Sequence, residues 1–296
     1  MQHYNWGIPV ALDLFAAGLG AAIFMVAVVA DLAGGRKYRR INTAGALIAP
    51  WPVLLGVLLL VADLGKPWRF WEMLLKRSHE TLGIESLMFK IGSTMSSGTW
   101  LLTIFVLGSL LYLVIALLAY PFKWAATLKK VLGVIGLPFA LLVTIYTGIL
   151  ISATSNLLWN NWLLPLVFVS SAFVTGIAAI AFTLAVLQVL KPKSKIGSDV
   201  PRLEIMNSRL IVIQLLMVII FILIGIGSPQ MRAMIGPAFG LLWWIGIIGL
   251  GLVFPFIISF RSGAKSPQIS LFISTLILLG GFFLRYAILI SGQMHI

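Results

Sequence analysis

The chain has 296 residues, 60% of them hydrophobic and 10% charged; soluble domains carry about 25% charged residues, so composition excludes a soluble globular domain and implies an integral membrane protein. It contains no cysteine, which excludes disulfides, thiol catalysis, Cys-ligated zinc and an iron–sulfur cluster held by its own thiolates. The net charge of +13 does not point to nucleic acid, because the basic residues fall in short loops between apolar runs, the usual topology signal of a membrane protein.

The amino terminus, MQHYNWGIPV, has neither a basic n-region nor a small-residue cleavage site, so the first apolar run is expected to be a permanent span and not a signal peptide. A helix needs about 20 apolar residues to cross the hydrocarbon core. In sequence order this predicts eight transmembrane helices, over residues 9–32, 43–64, 99–120, 130–152, 162–190, 207–226, 239–260 and 267–291. Residues 68–90, WRFWEMLLKRSHETLGIESLMFK, are too polar to span and read as one or two short surface helices. The connection at 152–161 suggests a division into two four-helix bundles, residues 1–152 and 153–296. Small residues at helical spacing, such as Gly18 and Ala22 or Gly45 and Ala49, allow close helix packing. Pro52, Pro138 and Pro255 fall within spans and are expected to kink them.

The loops divide by charge. One side carries Arg36, Lys37, Arg39 and Arg40, then Lys123, Lys129 and Lys130, then Lys191, Lys193, Lys195 and Arg202, then Arg261 and Lys265. The other side offsets its cations with Glu72, Glu80 and Glu85. The positive-inside rule puts the first set in the cytoplasm. The expected protein is therefore a multi-pass protein of the cytoplasmic (inner) membrane, with both termini extracytoplasmic. Trp6, Trp68, Trp71, Trp100, Trp159 and Trp162 fall at the outer level. They read as an interfacial aromatic belt or, alternatively, as a flat surface beside a ring-shaped ligand.

Polar residues inside hydrocarbon are costly and by default mark function. Asp13 lies about 6 Å into span one, and Arg285 about 9 Å from the outer end of span eight. Tyr146 is similarly deep in span four, and Asp63 closes span two on the same side. A quinone ring fits such a layer. Its carbonyls need hydrogen-bond donors, and its redox chemistry moves two protons with two electrons. A carboxyl group in low dielectric can exchange a proton near neutral pH, which makes Asp13 the candidate proton carrier. A phenol can donate to a quinone oxygen, which makes Tyr146 the candidate ring ligand. The competing reading pairs Asp13 or Asp63 with Arg285 in an ion pair that only holds helices together. Asp63 could equally cap its turn or pair with Lys66 or Arg69. Asp31, Gln188 and Gln214 could begin a proton path from the cytoplasm. The three histidines, His3, His79 and His295, all lie outside the predicted spans. No haem can then be ligated by histidine between the helices, and His79 has no second ligand at helical spacing for a metal.

Several motifs resemble the NrfD/PsrC family of membrane anchors in polysulfide-reductase-like complexes. They are IPVALDLFAAGLGA at 8–21, DLGKPWRF at 63–70, STMSSGTWLL at 93–102, YTGILIS at 146–152, NNWLLP at 160–165 and RYAILISGQ at 285–293. The match runs in order over nearly the whole sequence. The resemblance implies two four-helix bundles and a site for menaquinone or ubiquinone near the outer face. It also implies a docked four-cluster ferredoxin-like iron–sulfur subunit and a molybdopterin catalytic subunit. It assigns the ring site to Tyr146 and to polar residues of the first span and its lead-in, where this chain offers His3, Asn5 and Asp13. Gly18, Asp63 and Arg285 complete the candidate cofactor-binding set. The reading is a quinone/quinol-binding subunit of a respiratory oxidoreductase, whose direction of electron flow is set by the partner's potential. The alternatives are a secondary transporter and a purely structural anchor.

Overall fold

In a computed structural model, residues 6–34, 37–63, 68, 75–78, 86–89, 94–118, 122–154, 158–192, 199–262 and 266–294 are described. Among the described residues eight helices are long and apolar enough to cross a membrane, so that the fold is that of a multi-pass membrane protein whose spans are all α-helical or π-helical. Span one is α1 (Ile8–Gly34), and span two is α2 (Arg39–Ile48) with α3 (Pro50–Asp63). Spans three to six are α4 (Thr94–Leu118), α5 (Lys123–Ser152), α6 (Leu164–Leu190) and α7 (Val200–Gly225). A short α8 (Pro229–Ile235) precedes span seven, which begins as the π-helix α9 (Leu242–Val253) and continues as α10 (Phe254–Ser262). Span eight is α11 (Pro267–Gly292).

The spans match the expected eight, but several start earlier. Span two begins at Arg39 and span six at Val200. A hydropathy threshold finds only the part of a helix that lies in hydrocarbon, while polar leading turns prolong it into the headgroup region. Local chemistry fixes several ends. Pro201, Pro229 and Pro267 sit in first turns, where the missing N–H costs nothing. Ser228 and Ser266 accept from the backbone N–H of Met231 and Ile269 at 3.2 and 3.3 Å. Span two breaks at Ala49, so that Pro50 and Pro52 occupy the first turn of α3. Pro138 remains inside α5.

The segment expected to form short surface helices departs from that expectation. Its described residues form a β-hairpin in which β1 (Leu75–Ser78) pairs antiparallel with β2 (Ser86–Phe89), Leu75 opposite Phe89 and Ser78 opposite Ser86. A helix this short has little stability of its own in water, whereas two strands can satisfy each other's backbone. Trp68 is exposed; His79 and most of the neighbouring charges lie outside the described residues.

Span one is the most enclosed of the eight and packs on spans two, four, five and eight. Its middle is almost all small residues, Ala16, Ala17, Gly18, Gly20, Ala21 and Ala22. A Cβ on Gly20 would lie 2.6 Å from the Ala49 carbonyl oxygen, and one on Gly176 2.8 Å from the Ala22 Cβ. Backbones therefore touch where no side chain stands between them, the packing that membrane helices use in place of a hydrophobic drive. Large apolar side chains such as Leu107, Leu117, Leu190 and Leu223 face outward, as a lipid-facing surface requires.

Candidate functional site

Asp13 is the sixth residue of α1, about 8 Å along the helix from its start. The carboxyl is 3% exposed. It faces span two at Gly56, where a Cβ would lie 2.7 Å from Asp13 Oδ1. Only glycine lets the α3 backbone come this close. Oδ1 is completely enclosed and, among the described residues, meets no hydrogen-bond donor. Tyr146 stands near the carboxy-terminal end of α5, half-buried. Its ring packs directly on Gly98 in the first turns of α4, and any Cβ there would overlap the phenol. Asp13 is near the start of α1 and Tyr146 near the end of α5. Spans one to four thus hold one carboxyl and one phenol, each seated against a glycine of a neighbouring helix. The Ser96 hydroxyl, also in α4, is enclosed without a partner among the described residues.

Arg285 goes elsewhere. It is fully buried, yet no ion pair joins it to Asp13 among the described residues. Its Nη1 donates to Ser171 Oγ at 3.1 Å and to the Gly281 carbonyl at 3.0 Å, and its Nη2 donates to the Phe168 carbonyl at 3.2 Å. The guanidinium lies over the rings of Phe15 and Phe168, at 5.4 and 5.2 Å. Gly18 makes room for it, since a Cβ there would come within 3.2 Å of Nη2. Asp13 and Gly18 are five residues apart, about 140° around a helix, so they face different neighbours. The ion-pair reading of Asp13 with Arg285 is corrected on this point.

The amino-terminal lead-in is tied to the other end of the polypeptide. The Trp6 backbone N–H donates to Gln293 Oε1 at 2.7 Å, and Gln293 Nε2 donates back to the Trp6 carbonyl at 2.9 Å. The Trp6 ring stacks on Trp159 at 5.5 Å, and Trp159 Nε1 donates to the Ile288 carbonyl at 2.9 Å. Trp159 is fully buried and fits against Gly292, so this tryptophan is a packing element more than a member of an interfacial belt. His3 and Asn5 lie outside the described residues. Asp63 ends α3, and its side chain, with the proposed partners Lys66 and Arg69, also lies outside them.

A model of the family described as "Polysulphide reductase, NrfD" matches residues 1–296. The chain belongs to the NrfD family. It is 28% identical to "Protein NrfD" of Escherichia coli (strain K12), over 98% of this chain and 96% of that protein. It is 29% identical to a protein of Wolinella succinogenes named as a component of polysulfide reductase, over 100% and 98%. It is 24% identical to a protein of Mesobacillus selenatarsenatis named as a component of selenate reductase, over 89% and 68%. This NrfD-family protein is thus a membrane subunit with relatives named as parts of reductases.

The opposite end of the first four spans of this NrfD-family protein carries a second polar group. Lys129 Nζ donates to Asp31 Oδ1 and to Asn42 Oδ1, both at 2.9 Å. Asn42 Nδ2 donates to the Ala27 carbonyl at 2.9 Å and to the Tyr112 hydroxyl at 2.8 Å. Asp31 is therefore engaged in a network linking spans one to four. Gln188 sits at the exposed end of span five and donates to the Pro192 carbonyl, while Gln214 is buried with Oε1 unpartnered. Among the described residues no group of three His, Asp or Glu side chains is placed to hold a metal ion. The sequence alone missed Gly56 and Gly98 as seats for the site, and Gln293 as a clasp. A glycine in an apolar run signals close approach but not what approaches.

Proposed function

We propose that this NrfD-family subunit binds a quinone or quinol, menaquinone or ubiquinone, at the end of the first four spans where Asp13 and Tyr146 meet, and exchanges electrons with a partner. The observation that carries the reading is the enclosed Asp13 Oδ1, which no donor among the described residues satisfies. A buried polar atom without a partner costs about 1–3 kcal/mol, so its retention beside a phenol fits a ligand or a proton that completes it. A bound quinone or quinol supplies a two-electron, two-proton couple. The residues of the protein would do the rest. Asp13 Oδ1 takes and releases the proton. The Tyr146 hydroxyl donates to a ring oxygen and, packed on Gly98, is held in one orientation. Gly56 keeps the carboxyl in place, and the clasp between Trp6 and Gln293 ties the start of span one to the end of span eight. Arg285 is a positioning residue that locks spans one, five and eight together.

The same reading places the first four spans and the last four in two bundles, and the basic loops in the cytoplasm. The site is then near the extracytoplasmic face, where a four-cluster ferredoxin-like subunit and a molybdopterin catalytic subunit dock. That relatives are named as components of polysulfide and selenate reductases favours a redox partner over transport.

The test uses the assembled complex. Tyr146→Phe is expected to lower quinol-dependent turnover while activity with an artificial electron donor to the partner stays intact. Asp13→Asn is expected to slow turnover about a hundredfold, the usual range for loss of a proton-transferring group, with a smaller change in quinol affinity. Unchanged quinol kinetics in both variants would end the proposal. A fall in assembly alone would return Asp13 to a structural role.

A further inference from the structure

Span two is built in two unlike halves. In α2 (Arg39–Ile48), Ile41, Asn42, Ala44, Gly45 and Ala46 are buried. Hydrogen bonds fasten this half to three other spans. Asn42 Nδ2 donates to the Ala27 carbonyl of span one and to the Tyr112 hydroxyl of span three, and Lys129 Nζ of span four donates to Asn42 Oδ1. The other half, α3 (Pro50–Asp63), is held differently. Over residues 50–62 the Trp51 indole is the only side chain able to hydrogen-bond, and Trp51 is exposed. Burial along α3 stops at Gly56, and residues 57–62 are half-buried or exposed. The halves join at Ala49, just before Pro50 and Pro52. Proline has no N–H, so the ladder bonds to the carbonyls of Ala46 and Ile48 cannot form, while Ala49 N still donates to the Gly45 carbonyl at 2.9 Å. Two ladder bonds lost within three residues let the span bend here at little cost.

We propose that α3 is a door, hinged at Ala49 and the two prolines, that swings away from span one to admit a membrane-dissolved ligand to Asp13. The Asp13 Oδ1 atom is enclosed, and Gly56 is part of what covers it, since a Cβ there would lie 2.7 Å from Oδ1. A ligand reaches the carboxyl only when one of its walls moves. Span one itself is packed on four other spans. α3 turns one face outward instead, with Trp51, Leu55 and Leu58 exposed. Its contacts with span one at these glycines are close and free of side-chain hydrogen bonds, Gly20 against Val53 and Gly56 against the Asp13 main chain. Such contacts part without stranding a donor or an acceptor. A swing about Ala49 leaves Asn42 and its three partners in place, so the inner half of the span serves as the fixed post. The leucines on the outer face open the route from hydrocarbon and not from water, which selects an apolar ligand. The door rests on the reading of Asp13 as a ligand-binding group and adds to it the side from which the ligand comes.

The experiment takes the full-length protein in a lipid bilayer and dicyclohexylcarbodiimide, an apolar reagent that dissolves in the membrane and adds to protonated carboxyl groups. Modification of Asp13 is timed by peptide mass spectrometry. The unaltered protein is expected to react at Asp13 in spite of its enclosure. Pro50→Ala with Pro52→Ala returns two ladder bonds that a swing must break. It is expected to slow the reaction about tenfold, near the lower end of what two net hydrogen bonds contribute. Gly56→Ala sets a methyl against Oδ1, so that the door no longer closes fully, and the reaction is expected to quicken. An unreactive Asp13 in the unaltered protein, or an unchanged rate in the folded proline variant, would overturn the proposal. If the proline variant fails to fold, Gly56→Ala decides, and a rate no faster than that of the unaltered protein sinks the door. The assay contains no quinone, so its failure is told apart from unchanged quinol kinetics in Tyr146→Phe and Asp13→Asn, which bears on the quinone reading alone.

Discussion

Lys129 shows how much depends on single groups in this protein. Its ammonium lies between Asp31 and Asn42, and its side chain is only 12% exposed. An ion pair this enclosed adds little net stability over an apolar replacement, because desolvation consumes the attraction. Removing one member is different, since the remaining charge is left unpaired. Lys129→Met is therefore expected to destabilise the protein by about 3–5 kcal/mol and to lower its thermal midpoint clearly. Adding Asp31→Asn to the same protein removes the stranded charge and is expected to recover much of the loss. Thermal unfolding of the two variants in the same detergent checks this. Identical midpoints would mean that the pair carries no coupling.

Helices show a different division between what residues dictate and what contacts decide. Hydropathy alone places eight spans, because a run of about 20 apolar residues has few other uses. Asp13 and Tyr146 stand out in the same way, as polar groups within apolar runs. The partner of Arg285 is not legible from depth. Level along the membrane normal says nothing of helix face, and Arg285 turns to Ser171 and the Phe168 carbonyl across span five. Nor is the winding of span seven legible. LWWIGIIGLGLV forms a π-helix whose wider turns set Gly251 against the backbone of Gly280 in span eight; such winding follows from tertiary contact more than from local preference. A Cβ on Gly251 would lie 2.8 Å from Gly280 Cα. Gly251→Val is thus expected to push the two spans apart at a cost of about 1–3 kcal/mol. Gly108 is the control, with nothing within 4 Å of its added Cβ. Gly108→Ala is expected to be neutral or to gain up to about 1 kcal/mol of helix propensity. Melting temperatures in detergent separate the two outcomes, and equal effects would refute the close-packing account.

The whole molecule has a polarity that the proposed function requires. The excess of 21 basic over 8 acidic residues is concentrated in alternate loops, and the proposal that the basic end faces the cytoplasm rests on the positive-inside rule. Asp13 and Tyr146 lie at the opposite end from Lys37, Arg39 and Arg40, so the orientation of the protein decides on which side protons leave the site. The absence of cysteine makes this directly measurable, because any introduced thiol is unique. Gly227 lies in the exposed turn between spans six and seven, on the end that holds the candidate site; Lys191 is exposed at the end of span five, on the basic side. In intact cells, Gly227→Cys is expected to react with a membrane-impermeant maleimide, and Lys191→Cys only after the membrane is permeabilised. If the pattern is reversed, the carboxyl–phenol site faces the cytoplasm, the docking side of the redox partner moves with it, and proton release to the outside has no structural route.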